Sequence, residues 1–518
     1  MRDATPQPAD RSAFAFDPGR NCWRVARADR LALIVDAADY FATLRQVMMA
    51  AERELLLIGW DFDFEIEMLP GQSDADGLAP DGLPNQLGPF VEAVVERQPG
   101  LHVYLLKWNG AVLLAPARVL PTVAIWAFGN DRIHFALDGH HPFGACHHQK
   151  IVVADDSLAF CGGIDATEDR WDTSAHPPTD PRRVRKSGEP SPPWHDATAA
   201  LTGPVAGALG ELSRMRWCRA TEETLDPPDD APRMAWPDGL GTTVRDVDIA
   251  IARTEPPFDG EPIVNEIEEL YLDQIAASET SLYVESQYLT AGSVCGALER
   301  RLREPHGPDI VVVNPQAALS DGEDRAMHIL RGRMIERLHA ADAHDRFRIF
   351  HPVTRAGEPI YVHAKVFIAD DRILRIGSSN LNDRSMGFDT ECDLAFEATG
   401  ADRAAIAGFR TRLLSEHLGV TPDRLDQTVE AVGSLVGAID ALATPWGRSL
   451  RPIEQMPEGL VGGWLADTRL FDRRFRPGDA TGTGRGVRPR HIMVGAAVIG
   501  LGAAAWLLWR RGWFDGRG

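Results

Sequence analysis

Two short segments of the chain share one pattern of residues, H-x-K-x4-D-x6-G. The residues are His148, Lys150, Asp155 and Gly162 in the first copy, and His363, Lys365, Asp370 and Gly377 in the second. Residues two apart on a strand project from the same face, so each copy presents an imidazole beside an ammonium group. Two copies at identical spacing indicate a duplicated unit, which constrains the chain to fold as two similar halves.

The segments that precede the two motifs also correspond. In the first half, DYFATLRQVMMAAERE has the apolar spacing of a helix and is followed by the predicted strands ELLLIGW, LHVYLLKW and RIHFAL. In the second half, IVNEIEELYLDQIAASE is followed by SLYVES, DIVVVN and RFRIFH. Strands that alternate with helices in both halves predict an α/β fold of two similar halves related by a pseudo-twofold axis.

The predicted organisation of the chain has five parts. Polar and Pro-rich stretches mark the boundaries, because such segments form loops and linkers rather than core. The parts are an N-terminal half with the first motif (1–221), a linker (222–242), a C-terminal half with the second motif (243–425), a helical segment with a flexible tether (426–491) and a transmembrane helix (492–509). The Pro-rich stretch 173–193 is expected to be a loop. It could form a lid or entrance wall beside the active site, or it could be a solvated insertion.

The charge balance limits the choice of partner. The chain has 54 Lys plus Arg against 75 Asp plus Glu, which gives a formal net charge of −21. Such a surface repels phosphate backbones, so we expect no nucleic-acid partner, although a small basic pocket is compatible with it. The six cysteines are scattered without a CxxC pair, which favours reduced, buried thiols over a disulfide framework.

Residues 492–509 form an uncharged stretch, IMVGAAVIGLGAAAWLLW. As a helix it spans roughly 27 Å, and it ends in tryptophan and is bracketed by arginines, as membrane anchors are. We expect a single-pass C-terminal anchor, with a buried core helix as the alternative. The N-terminal residues lack an apolar signal segment, which with the reduced cysteines predicts that the main body is cytoplasmic, at a bacterial inner membrane. A small-xxx-small face would suit a homodimer, through Ala496, Gly500 and Ala504.

The doubled pattern resembles the phospholipase D superfamily, whose two HKD motifs build one active site at the interface of two halves. The resemblance extends over roughly residues 30 to 420 and is most specific in the second half, in YVHAKVFIADDRILRIGSSNLNDRSMGFDTECDLAF. The segments GWDFD (59–63), GGIDATEDRWDT (162–173), PWHD (193–196) and ESQY (285–288) agree with its eukaryotic-type branch. One departure is Asp165, since the matching place in the second half carries Asn380.

The chemistry of a phosphodiester fits this resemblance. An imidazole nucleophile divides the displacement into two easier steps through a phosphohistidine, while a second imidazole protonates the leaving alkoxide. By analogy with the family, His148 is expected to attack and His363 to act as general acid and then base. The expected phosphate-binding groups are Lys150, Lys365, Asn380, Ser378 and Gly162.

Each histidine also needs a partner that fixes its tautomer. We expect Glu391 to orient His148 and Asp172 to orient His363, each from the opposite half, with surface carboxylates as the alternative. Asp155 and Asp370 belong to the catalytic motif, and we expect them to stabilise it through backbone or lysine contacts rather than to react.

The predicted function is phosphodiester cleavage in glycerophospholipids, which yields phosphatidic acid or passes the phosphatidyl unit from the lipid to an acceptor alcohol instead of water. A cardiolipin synthase-like transferase is the alternative, a nuclease of the same superfamily is less favoured by the charge, and a non-catalytic lipid-binding protein is disfavoured by the complete motifs. No cofactor or metal is expected. A zinc cluster is disfavoured because no second ligand pair has standard spacing. Its residues would be His140, His141, Cys146, His147 and His148.

Overall fold

The computed structural model describes residues 14–110, 130–229, 233–317, 321–455, 463, 466–469 and 471–475. The fold of these residues is mixed α/β, as predicted. In the first half the strands are β1 (Arg24–Val35), β2 (Glu54–Gly59), β3 (His102–Trp108), β4 (Ile133–Asp138), β5 (Ile151–Ala154), β6 (Leu158–Gly162), β7 (Trp194–His195) and β8 (Ala197–Thr202). In the second half they are β9 (Val244–Glu255), β10 (Val264–Asn265), β11 (Ser281–Glu285), β12 (Asp309–Val313), β13 (Phe347–Val353), β14 (Tyr361–Val362), β15 (Val366–Ala369), β16 (Ile373–Gly377), β17 (Glu391–Glu397) and β18 (Ser449–Pro452).

The described helices flank these strands. They are α1 (Ala37–Ala50), α2 (Leu87–Arg97), α3 (Pro204–Thr221), α4 (Glu266–Ala277), α5 (Gly292–Arg303), α6 (Asp321–Ala341), α7 (Asp383–Gly387), α8 (Asp402–Leu418), α9 (Pro422–Val432) and α10 (Leu435–Leu442). The predicted helical segment from residue 426 is thus two helices, α9 and α10. The break follows from Gly433, whose φ of 72° ends α9, and from Ser434, whose hydroxyl accepts from the backbone N–H of Gly437 and caps α10.

One large sheet runs through both halves, and its strand order repeats. At the centre β1 pairs antiparallel with β9. From β1 outward the order is β8, β6, β5, β2, β3 and β4. From β9 outward it is β17, β16, β15, β11, β12 and β13, with β18 at the edge. The two orders correspond strand by strand, which is what duplication of one unit produces.

The sheet is buried on both faces. Side chains alternate along a strand, so Leu56 of β2 faces the core shared by the two halves, whereas Leu55 and Leu57 pack under α1 and α2. In the shared core β6 packs against β16 and β17, and the Sγ atoms of Cys161 and Cys392 lie 3.8 Å apart as free thiols. The strands that follow the two motifs therefore lie against each other.

No helix in the described part of the chain combines the length and apolar character that crossing a membrane needs. The predicted transmembrane helix, 492–509, lies outside the described residues, and so does the tether that precedes it from residue 476. The small residues weighed as a dimer face belong to the same stretch.

Candidate active site

The two motif histidines face each other across a cleft between the halves. His148 lies shortly before β5, and His363 holds the corresponding position before β15. The backbone N–H of His148 donates to the carbonyl of Thr390 in the second half, and that of His363 donates to the carbonyl of His195 in the first, each at 2.8 Å. The two imidazole rings are 6.4 Å apart between centroids and meet edge to face. Both rings can therefore contact one small group placed between them.

Each imidazole is held by a carboxylate from the opposite half. Nδ1 of His148 lies 3.0 Å from Oε2 of Glu391, the first residue of β17. Nδ1 of His363 lies 2.7 Å from Oδ2 of Asp196, which directly precedes β8. Since β8 and β17 are corresponding strands, the two pairs are equivalent. With Nδ1–H donating to the carboxylate, Nε2 of each ring is the free basic nitrogen.

The partner of His363 differs from the one expected from sequence. Asp172 is fully buried, but its Oδ2 accepts from Nδ1 of His176 at 2.9 Å and from Nη1 of Arg183 at 2.7 Å. The same oxygen accepts from the backbone N–H of Trp194 at 2.9 Å. Asp172 therefore stabilises the loop and the segment that leads to Asp196, and it does not contact His363.

The sequence contained a signal that Asp196 is the partner of His363. Asp196 ends the quoted PWHD segment, and it precedes the strand that pairs with β6, just as Glu391 begins the strand that pairs with β16. Gly163 makes this approach possible, because a Cβ there would lie 2.1 Å from Oδ1 of Asp196.

The two motif lysines have different surroundings. Nζ of Lys150 donates to the carbonyl of His148 at 2.8 Å and pairs with Oδ2 of Asp165 at 3.0 Å. Nζ of Lys365 donates to the carbonyl of His363. Asn380 stands where the first half has Asp165; it lines the cleft, and its buried Oδ1 makes no hydrogen bond. The departure noted at Asp165 thus places a carboxylate beside Lys150.

Ser378 and Gly162 are not among the residues that line the cleft. The hydroxyl of Ser378 donates to Oε2 of Glu391 at 2.5 Å and accepts from the backbone N–H of Cys392 at 3.0 Å. A Cβ at Gly162 would lie 2.4 Å from Cα of Thr198, so this glycine permits close strand packing. Ser378 therefore contacts Glu391 and Gly162 lies within the sheet, while their expected part in phosphate binding stays a prediction.

The motif aspartates hold the backbone. The carboxylate of Asp155 accepts from the backbone N–H groups of residues 52–54, each at 2.8 Å. Asp370 does the same for residues 279–281, at 2.7 to 2.9 Å. Each aspartate thus ties the end of a motif strand to the start of the neighbouring strand, β2 or β11. This matches a stabilising role through backbone contacts, and neither carboxylate touches the lysines or lines the cleft.

The cleft has a volume of about 220 Å³. It is lined by Trp60, Cys146, His148, Asp165, Arg170, Gln287, Tyr288, His363, Asn380, Asn382, Arg384, Asp389 and Glu391. Sequence reasoning missed Arg170, whose guanidinium lies 4.3 Å from the ring of Trp194. It belongs to the quoted RWDT segment, where an arginine among acidic residues was the available signal.

Burial controls the ionisation of these groups. It lowers the pKa of both His148 and His363 well below the usual value, and the nearby ammonium groups lower it further. Burial also lowers the pKa of Lys365 to about 7, although Asp196 opposes this. The imidazoles are therefore neutral at pH 7, which leaves a lone pair on Nε2 for nucleophilic attack.

The histidines near the first motif have separate partners. Nε2 of His147 pairs with Oδ1 of Asp138 at 2.9 Å, and Nε2 of His141 lies 3.0 Å from Nε1 of Trp108. His148 faces Glu391 instead. These side chains point to different neighbours and do not converge on one point.

The family model described as Phospholipase D matches residues 342–435, which contain the second motif and Glu391. Phospholipase D A of Dictyostelium discoideum is 23% identical, over 75% of this chain and 36% of that protein. Phospholipase D1 of Schizosaccharomyces pombe is 23% identical, over 76% and 36%. Phospholipase D alpha 1 of Nicotiana tabacum is 25% identical, over 54% and 49%.

The chain spans between about a third and a half of the length of these curated relatives. Among solved structures, phosphatidylserine synthase of Haemophilus influenzae aligns with a TM-score of 0.49 at 12% identity, covering 79% of this chain and 95% of that one. The family match, the curated relatives and the doubled motif together support membership of the chain in the phospholipase D superfamily.

Proposed function

We propose that this protein is a phosphodiesterase and phosphatidyl transferase that acts on glycerophospholipids. It cleaves the bond between the phosphate and the head group and passes the phosphatidyl unit to water or to an acceptor alcohol. The observation that carries this proposal is the crosswise pairing of two neutral imidazoles with buried carboxylates of the opposite halves. The names of the curated relatives support the phospholipid as substrate.

In the first step Nε2 of His148 attacks the phosphorus. The new P–N bond forms as the P–O bond to the head group breaks, and His363 gives its proton to the departing alkoxide. In the empty cleft His363 is neutral. Binding of the anionic phosphodiester raises the pKa of the imidazole, so Nε2 takes up a proton from water before the head group leaves.

In the second step His363, now neutral, removes a proton from water or an alcohol. The oxygen attacks phosphorus, the P–N bond breaks, and His148 recovers its lone pair. Charge on the non-bridging oxygens is offset by Lys150, Lys365 and Arg170, with the amide of Asn380 as a further donor. Because these groups supply the positive charge, we propose no cofactor for the reaction.

The depressed pKa of Lys365 predicts an alkaline limit to activity. Lys365 carries its charge below about pH 7 and loses it as the pH rises through that value, so phosphate capture weakens. We expect kcat/KM, which reports the free enzyme, to fall above about pH 7. The corresponding decline of kcat should occur at higher pH, because bound phosphate stabilises the ammonium form of Lys365. Full pH profiles of both parameters, on a soluble phosphodiester, measure this.

Lys365→Arg is the matched variant for the pH profile. A guanidinium stays charged throughout this range, so the residual activity should lose its alkaline limb. A kcat/KM that is level between pH 6 and pH 9 in the parent protein would contradict the assignment.

We also propose that residues 492–509 anchor the protein in a membrane, with the catalytic body on the cytoplasmic side. Removing residues 485–518 should leave turnover of short-chain, dispersed lipid intact and lower turnover of bilayer lipid, because tethering raises the effective substrate concentration. Membrane fractionation in high salt and paired assays measure this. A truncated protein that still pellets with membranes would contradict the proposal, and gel filtration of the anchored form tests the homodimer.

The function itself is tested by product analysis. Purified protein is incubated with mixed phospholipids, with and without ethanol or glycerol, and the lipids are identified by mass spectrometry. Phosphatidic acid, replaced by phosphatidylethanol when ethanol is present, would support the proposal. Cardiolipin from phosphatidylglycerol would assign the protein to the synthase alternative, and cut DNA with unchanged lipid would assign it to the nuclease alternative.

A further inference from the structure

A second group of titratable side chains converges outside the cleft, where the two halves meet. One comes from the residue between β1 and α1, one from the loop before β7, one from β7 and one from α8. They are Asp36, His176, His195 and Glu416, which we call the buried His–carboxylate cluster. The side chain of Glu416 is 9% exposed and the other three are at most 1% exposed. None of the four takes part in the proposed reaction.

Four nitrogen–oxygen distances within this cluster are close to those between the ligands of a tetrahedral metal site. Nε2 of His176 lies 3.1 Å from Oε1 of Glu416 and 3.6 Å from Oδ2 of Asp36. Nδ1 of His195 lies 3.3 Å from Oδ1 of Asp36 and 3.5 Å from Oε1 of Glu416. Ligands at the zinc–nitrogen and zinc–oxygen distances of about 2.0 to 2.1 Å in a tetrahedral site are roughly 3.4 Å from each other.

An outer layer of carboxylates orients both imidazoles toward the centre. Nδ1 of His176 donates to Asp172 at 2.9 Å, and Nε2 of His195 donates to Glu285 at 3.0 Å. Each histidine thus turns its other nitrogen into the cluster. Metal-binding histidines are typically held in this way, with the second N–H donating to a carboxylate. Nδ1 of His195, although buried, makes no hydrogen bond within the described part of the chain.

The charged groups in direct contact leave two negative charges unbalanced. Four carboxylates lie here, two in the cluster and two in the outer layer; three are buried, and the side chain of Glu416 is 9% exposed. Two guanidiniums reach them: Arg183 lies 2.7 Å from Asp172, and Arg448 lies 3.4 Å from Glu416. A divalent cation bound to neutral imidazoles would balance the remaining charge, and so would protonation of both histidines.

We propose that the buried His–carboxylate cluster is a structural site for one zinc ion. Two imidazoles and two carboxylates that are at most 9% exposed fit a closed, four-coordinate site, and this ligand set suits zinc better than magnesium or calcium. The site joins the halves, since three ligands come from the first half and Glu416 comes from the second.

The cluster also borders the reaction site through one residue. Oδ1 of Asp36 accepts from the backbone N–H of Asp196 at 3.2 Å, and His195 is the neighbouring residue. The ion would therefore hold the segment that positions Asp196 against His363. It would act through this segment and have no contact with phosphate.

Metal content tests the proposal without any assay of turnover. The full chain is expressed in zinc-supplemented medium, dialysed and analysed by mass spectrometry for zinc, manganese and iron. We expect about one zinc ion per chain, and a loss of at least about tenfold in His176→Gln. His351→Gln removes a buried histidine outside the cluster and should keep the full zinc content.

Cobalt gives a second readout in the unaltered protein, which covers the case in which His176→Gln does not fold. Protein produced in cobalt-supplemented medium should show the intense visible absorption of tetrahedral cobalt, and added zinc should abolish it. Zinc-free protein whose cobalt form lacks these bands would overturn the proposal in favour of two protonated histidines. Stoichiometric manganese or iron would overturn the assignment of zinc.

Discussion

Replacing His148 with alanine is expected to lower kcat by about 10⁴- to 10⁶-fold, because no other group can form the covalent intermediate. His363→Ala should lose about 10²- to 10⁴-fold, since it removes the proton donor and acceptor but keeps the nucleophile. The double variant should be scarcely worse than His148→Ala, because members of one catalytic unit are not additive. Steady-state kinetics on a phospholipid with a poor leaving group measure all three.

The two histidines can be told apart with an activated substrate. A nitrophenyl phosphodiester departs without a proton, so His363→Ala should release one burst of nitrophenol and then stop with the phosphoryl group on His148. Mass spectrometry of the peptide that contains His148 would detect the adduct, and His148→Ala should give neither burst nor adduct. The control is His306→Ala, an exposed histidine that is not among the residues lining the cleft. An adduct on His363 instead would reverse the assigned roles.

Asp196→Asn is expected to lower kcat by about 10³- to 10⁴-fold with little change in KM. An amide can present its NH2 group to Nδ1 of His363, which places the single proton of the neutral ring on Nε2. The ring then has no lone pair on Nε2 with which to act as the base of the second step. The carboxylate also stabilises the imidazolium that forms after proton uptake. Kinetics together with thermal unfolding of the purified variant measure the effect and its cause.

Asp172→Asn is the matched comparison. It alters the contacts to His176 and Arg183, so we expect a lower unfolding temperature and a much smaller loss of kcat per folded molecule. If Asp172→Asn abolished turnover in folded protein while Asp196→Asn retained it, the pairing expected from sequence would be restored and the geometric assignment would be wrong.

Several features of the site could be predicted from the sequence alone. The doubled H-x-K spacing identified His148 and His363 and indicated two halves, because a repeated pattern in the chain becomes a repeated strand order in the sheet. Glu391 was also predicted as the partner of His148, and its carboxylate lies 3.0 Å from Nδ1 of that histidine. In these cases a local pattern carries the information, and the α/β class follows from the alternation of helical and strand periodicity.

The tertiary structure decided the contacts between distant residues. Asp196 and His363 meet because β7 pairs with β14 across the two halves, with His195 opposite Val362. Asp172 instead contacts Arg183 and His176 within its own loop. The direction in which Ser378 points, toward Glu391 and not into the cleft, depends on the packing of β16 against β17. The His–carboxylate cluster likewise takes its members from four separate elements. No spacing in the chain encodes such meetings, because they depend on how strands and loops far apart in sequence pack together.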